Sequence, residues 1–137
     1  MSGLESTKVV DIAGAGARLI PRLVGINLAF AALQPVSAGL FLSGYERAVS
    51  VHAVIGIGLV IGVLVQAVAS VVVWRRGAPA WQMRVSLILF AVVLIQLALG
   101  YNKVYWLHVP IGVGLFGWLI RLRARVATLW LAAGAQS

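Results

Sequence analysis

Four long apolar stretches restrict the fold of this chain more than any other feature of its sequence. Each is close to the ~20 residues that an α-helix needs to cross a hydrocarbon core of about 30 Å. Within a bilayer only helices and closed barrels satisfy every backbone group, and the alternating pattern of a barrel strand is absent here. The sequence therefore predicts an all-α integral-membrane protein with four transmembrane helices, at about residues 23–44, 50–73, 84–100 and 104–121.

Composition supports the same environment. Hydrophobic residues make up 62% of the 137 residues and charged residues only 10%, against roughly 45–50% and about 25% for an ordinary soluble domain. The formal net charge of +8 would indicate nucleic-acid binding if the basic residues formed one patch on a water-soluble surface. They flank the apolar stretches instead, where Lys and Arg report membrane topology. We therefore expect the lipid bilayer as a partner and no nucleic acid.

The basic residues also predict the orientation of the chain. One side of the membrane carries Lys8, Arg18, Arg22, Arg75, Arg76, Arg84, Arg121, Arg123 and Arg125, and the other side carries only Arg47 and Lys103. Because basic residues favour the cytoplasmic side, both termini are predicted to be cytoplasmic. The predicted organisation is a cytoplasmic tail over residues 1–22, a four-helix domain over 23–122, and a cytoplasmic or interfacial tail over 123–137.

A short internal repeat links the second and fourth spans. Residues 44–59 and 100–115 align without a gap when shifted by 56 positions, and His52 then falls on His108. The same shift places Gly56 on Gly112 and the basic Arg47 on the basic Lys103. It also aligns Gly44 with Gly100 and Tyr45 with Tyr101. The repeat predicts a four-helix bundle built from two helical hairpins, related by an axis along the membrane normal.

The two histidines are the candidate ligands of a metal or haem. Each is about four residues into its span, so both imidazoles are expected at one depth near the outer face, on helices that run in the same direction. Ionisable side chains inside membranes are costly and usually functional. Haem iron takes two axial ligands, whereas zinc prefers three or four. We therefore predict one haem b held non-covalently by His52 and His108. The simpler alternative is a hydrogen bond between helices.

The absence of cysteine narrows the choice of iron centre. The chain has none, which excludes iron–sulfur clusters and covalently attached c-type haem.

Four residues near the histidines are predicted to bind the cofactor. Gly56 and Gly112 follow the histidines by one helical turn and would leave room for a porphyrin, or would serve helix packing alone. Arg47 and Lys103 precede the histidines by five residues. They would pair with the two haem propionates, or would be ordinary interfacial residues.

Four polar residues inside the spans are expected to bond between helices: Asn27, Gln34, Gln66 and Gln96. Such bonds are typically worth below about 1 kcal/mol each. Gln96 is close to the depth of the histidines and is also a candidate donor to an imidazole or a propionate.

Four short motifs in the spans resemble those of known families. The motifs are Gln34 with Gly39 in the first span, H-x-x-x-G at His52, Q-x-x-x-G at Gln96 and L-H-x-P at Leu107. Over about residues 25–122 they resemble the small four-span actinobacterial membrane proteins of unknown function. They are also similar to one half of haem A synthase, an eight-span enzyme made of two such bundles. That resemblance implies a bacterial cytoplasmic membrane and haem ligation by His52 and His108.

The chain also departs from haem A synthase. It has one bundle where the enzyme has two, and it lacks the outer-loop cysteines of some members. Glu46 precedes His52 by six residues, whereas the enzyme's glutamate precedes its histidine by three. The resemblance therefore does not imply oxygenase activity.

Three functions follow as hypotheses. The first is a b-type haem protein that transfers electrons with a quinol or a partner protein, or that handles haem. The second is a small transporter. The absence of Asp and Glu from all four predicted spans argues against it. The third is an accessory or structural subunit without haem. A homodimer would restore an eight-helix arrangement.

Overall fold

The fold is a bundle of four α-helices. The computed structural model describes the backbone of residues 2–134 and the side chains of residues 19–128, and it contains no strand within that range. The helices are α1 (Ser2–Leu42), α2 (Ala48–Arg75), α3 (Ala80–Tyr101) and α4 (Tyr105–Gly134). The segments long and apolar enough to cross a membrane are Leu19–Leu42, Ala48–Arg75, Ala80–Tyr101 and Tyr105–Thr128. The prediction of an all-α, multi-pass membrane protein with four spans is confirmed.

The third and fourth helices are longer than the predicted spans. Helix α3 begins after Pro79, whose φ of −58° and ψ of 132° are extended rather than helical. Helix α4 continues through Arg121 and Arg125, because arginine is a good helix former and its long side chain can carry the charge outward. The predicted tail boundaries at residues 22 and 123 therefore fall inside helices. The side chains of residues 1–18 and 129–137 lie outside the described range, so the surface position of both tails stays a prediction.

Three of the helices end in the same backbone turn. One residue takes a positive φ, and the N–H of the next residue donates to the carbonyl five positions back, which is the Schellman arrangement. The positive-φ residues are Gly44 (φ 94°), Gly77 (φ 99°) and Lys103 (φ 58°). The closing bonds are Tyr45 to Leu40 at 3.1 Å, Ala78 to Val73 at 3.2 Å and Val104 to Leu99 at 2.9 Å. Two turns thus use glycine, and the turn between α3 and α4 uses lysine.

The helices are arranged in a ring, each packed against two others. Helix α1 packs against α2 and α4, and α3 packs against the same two. Within the described residues α2 and α4 make no close backbone contact and lie on a diagonal of the bundle. Apolar side chains fill the interior, with Val24, Val63, Leu89 and Leu119 fully buried.

A buried polar chain ties three helices together at the end of the bundle that carries Arg75 and Arg84. Asn27 Nδ2 donates to Gln66 Oε1 at 2.9 Å, and Gln66 Nε2 donates to Ser86 Oγ at 3.1 Å. Ser86 and Ser70 share a hydrogen bond of 2.9 Å between their hydroxyls. Gly62 accommodates the Asn27 carboxamide, which a Cβ at that position would contact. The expected interhelical bonding of Asn27 and Gln66 is therefore present.

Candidate functional site

The two histidines meet at the end of the bundle opposite that polar chain. His52 is the fifth residue of α2 and His108 the fourth residue of α4. Their ring centroids are 6.1 Å apart, with an angle of 65° between the ring planes. Both side chains are half-buried. The two imidazoles thus lie next to each other in an edge-to-face arrangement across the α2–α4 diagonal, at matched depth, as their positions in the sequence predict.

Each imidazole bonds to the backbone of the preceding helix through Nδ1. His52 Nδ1 is 3.2 Å from the Gln34 carbonyl oxygen, and His108 Nδ1 is 3.0 Å from the Gln96 carbonyl oxygen. A carbonyl oxygen can only accept a hydrogen bond, so these two bonds require the proton on Nδ1 of each ring. The neutral tautomer then has its lone pair on Nε2, which is the arrangement by which proteins orient metal-binding histidines.

The same glutamines return a bond through their side chains. Gln34 Nε2 donates to the His52 carbonyl oxygen at 3.3 Å, and Gln96 Nε2 donates to the His108 carbonyl oxygen at 2.9 Å. Each hairpin therefore contains a reciprocal Gln–His pair. The first pair is Gln34 with His52, between α1 and α2; the second pair is Gln96 with His108, between α3 and α4. Two bonds per pair fix both the imidazole and the helix that carries it.

Glycines allow these close approaches. A Cβ at Gly112 would lie 2.7 Å from Gln96 Nε2, and a Cβ at Gly56 would lie 3.4 Å from Gln34 Nε2. A Cβ at Gly100 would lie 3.0 Å from His108 Cε1. The glycine one turn after each histidine thus makes room for the glutamine amide. This packing accounts for the H-x-x-x-G spacing with groups of the chain itself.

Ser37 joins the first pair and has no counterpart in the second. Its hydroxyl is 3.1 Å from His52 Nδ1, and it also bonds to the carbonyl oxygens of Leu33 at 3.0 Å and Gln34 at 2.9 Å. In the second pair the Gln96 Oε1 atom is buried and has no hydrogen-bond partner among the described residues. The two sites therefore share their main bonds and differ in their surroundings.

Arg47 and Lys103 lie in the two outer turns, with exposed side chains. Arg47 precedes α2 with φ −61° and ψ −20°, whereas Lys103 follows α3 with a φ of 58°. The two residues that share a position in the repeat therefore differ in backbone conformation. Gly44 and Gly100 differ as well: Gly44 follows the end of α1, while Gly100 lies inside α3 against the His108 ring. The structural correspondence holds for the histidines and the glycines one turn beyond them.

The sequence predicts the two histidines but only part of their support. It predicts Gln96 near the site, whereas it predicts for Gln34 only a bond between helices, and nothing in it marks Ser37. The signal for Gln34 is that each histidine is preceded, on the previous helix, by a glutamine in the outer half of that span. Ser37 leaves no such signal, because serine is common and its hydroxyl reaches His52 only after α1 and α2 have packed.

The separation of the rings allows a metal ion between them. Two metal–nitrogen bonds of about 2.0 Å each, with about 1.1 Å from each nitrogen to its ring centre, would place the centres about 6.2 Å apart if both Nε2 atoms pointed at one metal ion. The 6.1 Å observed agrees with that value. Within the described residues no cluster of three or more His, Cys, Asp and Glu side chains could hold a metal ion. Two histidines are fewer protein ligands than the three or four that zinc prefers.

Comparisons of the chain with protein-family models, with curated proteins and with solved structures give no match.

Proposed function

We propose that this protein is a b-type haem protein of the membrane, in which His52 and His108 ligate one non-covalent haem and which transfers single electrons. The observation that carries the proposal is the close pair of imidazoles, 6.1 Å between ring centroids, each with Nδ1 against a backbone carbonyl. A bound haem supplies a one-electron iron couple. If His52 and His108 both ligated the iron, no ligand position would remain for oxygen, which favours electron transfer over chemistry on bound oxygen.

The residues around the histidines support this role. The Gln34 and Gln96 carbonyls hold each imidazole in one tautomer, and bonds of this kind raise the basicity of a ligating histidine. The arrangement of the two Gln–His pairs is also what a parallel repeat of two hairpins would produce. Arg47 and Lys103, exposed in the two outer turns, are the side chains that we expect to pair with the haem propionates.

The expected place of the protein is a bacterial cytoplasmic membrane, with the arginine-rich end in the cytoplasm. The positive-inside rule supports this orientation. The histidines then lie near the extracytoplasmic face, and a quinol in the bilayer or a partner protein outside it would exchange electrons with the haem.

Absorption spectroscopy tests the proposal. The protein is produced in a host with sufficient haem, purified in detergent, and examined by reduced-minus-oxidised difference spectra. We expect a low-spin b-type spectrum with one haem per chain. His52→Ala and His108→Ala should each lose the low-spin spectrum, and the double variant should contain no haem. Ser70→Ala, which removes a buried hydroxyl at the other end of the bundle, serves as the matched control and should keep its haem.

Imidazole rescue separates lost ligation from misfolding. Added imidazole can replace the deleted ring in His108→Ala and should restore the low-spin spectrum if the bundle is intact. A wild-type protein without haem, or a haem that survives loss of both histidines, contradicts the proposal. The first of these results would favour an accessory subunit in which the Gln–His pairs only join helices.

A further inference from the structure

The arginine-rich end of the bundle contains a second group of residues that the histidine site does not use. We propose that Arg84, Arg121 and Arg125, with Trp81, bind the headgroup phosphate of an anionic phospholipid in the groove between α3 and α4. This inference does not depend on haem binding, because it concerns the opposite end of the bundle.

The placement of the four residues follows from the antiparallel packing of α3 and α4. Trp81 lies 20 residues before the end of α3 at Tyr101, and Arg125 lies 20 residues after the start of α4 at Tyr105. The Arg125 guanidinium carbon is 4.4 Å from the centroid of the Trp81 ring, which fixes this register. Arg84 and Arg121 lie 17 and 16 residues from the same two ends, so they are at nearly equal depth, one turn inside the Trp81–Arg125 contact.

The two arginines also lie one helical turn from the residues that make the Trp81–Arg125 contact. Arg84 follows Trp81 by three positions on α3, and Arg121 precedes Arg125 by four positions on α4, which are the spacings of neighbours on one helix face. All three arginines are exposed. The backbone positions of the three arginines thus lie within about one helical turn of one another along the bundle, and the repulsion between three like charges favours a bound anion there.

The charge at this end is not balanced by acidic side chains within residues 19–128. The one acidic residue in that range is Glu46, in the turn at the opposite end. The remaining two, Glu5 and Asp11, belong to the part of α1 whose side chains are not described. All seven basic residues at this end of the described range are arginines: Arg22, Arg75, Arg76, Arg84, Arg121, Arg123 and Arg125. Arginine binds phosphate oxygens through two parallel N–H donors, which lysine cannot do.

The apolar surface beyond the arginines fits an acyl chain. Gly117 and Gly114 lie one and two turns from Arg121 on the same face of α4, and a Cβ at either would meet no atom within 4 Å. On α3, Ile88 lies one turn beyond Arg84 and is 54% exposed. A phosphate at the arginines would thus be followed, toward the membrane centre, by an exposed apolar surface that has no side chain at Gly117 and Gly114. This continuity distinguishes a lipid from free phosphate, which would use only the arginines.

Lipid retention measured by native mass spectrometry tests the inference. Wild-type protein is exchanged from nanodiscs of equal phosphatidylglycerol and phosphatidylcholine, and the bound lipids are counted after removal of bulk lipid. We expect one phosphatidylglycerol retained in preference to phosphatidylcholine. The double variant Arg84→Gln and Arg121→Gln should reduce that preference about tenfold or more, because each basic residue at a membrane surface contributes about 1 kcal/mol toward anionic lipid.

Two further variants make the result specific. Arg75→Gln with Arg76→Gln removes the same charge from the end of α2 and should retain the lipid. Gly117→Leu fills the groove with all charges intact and should also lose the lipid. Equal loss in both arginine double variants would overturn the site in favour of a diffuse attraction to anionic lipid. Retention in Gly117→Leu, or displacement by glycerol phosphate at low millimolar concentration, would overturn the acyl groove.

Discussion

The two hairpins hold their histidines with the same pair of bonds but with different surroundings. In the α3–α4 hairpin the Gln96 amide and His108 carbonyl are 2.9 Å apart, and Gly100 and Gly112 lie directly against the partner groups. In the α1–α2 hairpin the corresponding Gln34 bond is 3.3 Å, the glycine has more room, and the Ser37 hydroxyl gives His52 Nδ1 a second neighbour. The second hairpin therefore depends on close helix approach, and the first depends on an additional hydrogen bond.

The largest loss of stability is expected from substitution of Gly100. Gly100→Leu would place a large side chain where a Cβ alone is 3.0 Å from the His108 ring. We expect a loss of about 1–3 kcal/mol in the free energy of unfolding from overpacking, together with loss of haem, since the ring must leave its position. Thermal unfolding in detergent and the haem content per chain measure the two effects. Gly114→Leu, at an exposed glycine with no neighbour within 4 Å, is the control and should change neither. Equal behaviour of the two variants would contradict the packing described for His108.

Alanine substitution at Gly112 and at Gly56 should change the stability of the two hairpins by different amounts. Gly112→Ala brings a Cβ to 2.7 Å from Gln96 Nε2 and should displace that amide, whereas Gly56→Ala leaves 3.4 Å to Gln34 Nε2. We expect Gly112→Ala to cost about 1–2 kcal/mol, the upper range for a hydrogen bond between membrane helices. Gly56→Ala should be close to neutral, because alanine is also the better helix former. Unfolding of both variants under the same conditions gives the comparison. A greater loss in Gly56→Ala would show that the first hairpin is the tighter one.

The residue with positive φ differs between the two turns, and it can be exchanged by substitution. Lys103 has a φ of 58°, and Gly44 takes the equivalent place in the first turn with a φ of 94°. A left-handed conformation costs a residue with a side chain about 1 kcal/mol relative to glycine. Lys103→Gly should therefore raise the free energy of unfolding by about 1 kcal/mol, and Gly44→Lys should lower it by a similar amount.

The same lysine tests the propionate proposal. Lys103→Asn keeps a residue that tolerates positive φ and removes the charge. If Lys103 pairs with a propionate, Lys103→Gly and Lys103→Asn should both bind haem more weakly, although the first unfolds at a higher temperature. Unchanged haem affinity in both variants would mean that the lysine serves only the membrane surface.

A small effect is expected at Ser37. Ser37→Ala removes one of the two neighbours of His52 Nδ1 and leaves the bond to the Gln34 carbonyl. We expect a loss of about 0.6 kcal/mol, the average for side-chain bonds within membrane bundles, and an unchanged haem content. Loss of haem in Ser37→Ala would mean that the serine, and not the glutamine carbonyl, orients the imidazole.

Much of the fold could be predicted from the sequence because lipid leaves so few alternatives. Apolar stretches of membrane length predict helices, and the matched positions of His52 and His108 in two spans predict that their rings share one depth. The ends of the spans were less predictable. Arg84, Arg121 and Arg125 look like boundaries in the sequence, but each lies inside a helix, because arginine extends its charge away from the helix that carries it.

The support of the site could be predicted only in part. Gln96 was recognisable from its depth, yet the glutamines act mainly through groups that the sequence does not distinguish. Their backbone carbonyls accept from the imidazoles, and their amides bond to histidine backbone oxygens. The sequence repeat also includes aligned residues that differ in the structure. Arg47 and Lys103 align in it, but they occupy different backbone conformations because the two turns differ in length.

The sequence by itself determined four membrane helices and two histidines at one level, since both follow from helix length and residue position in a bilayer. Only the tertiary structure decided that α2 and α4 lie on a diagonal with their imidazoles 6.1 Å apart, and that Gln34 and Gln96 hold them. Lipid is as apolar as the helix surfaces, so the apolar pattern does not determine which faces meet. That choice depends on glycines that permit close approach and on polar groups that must find partners away from water.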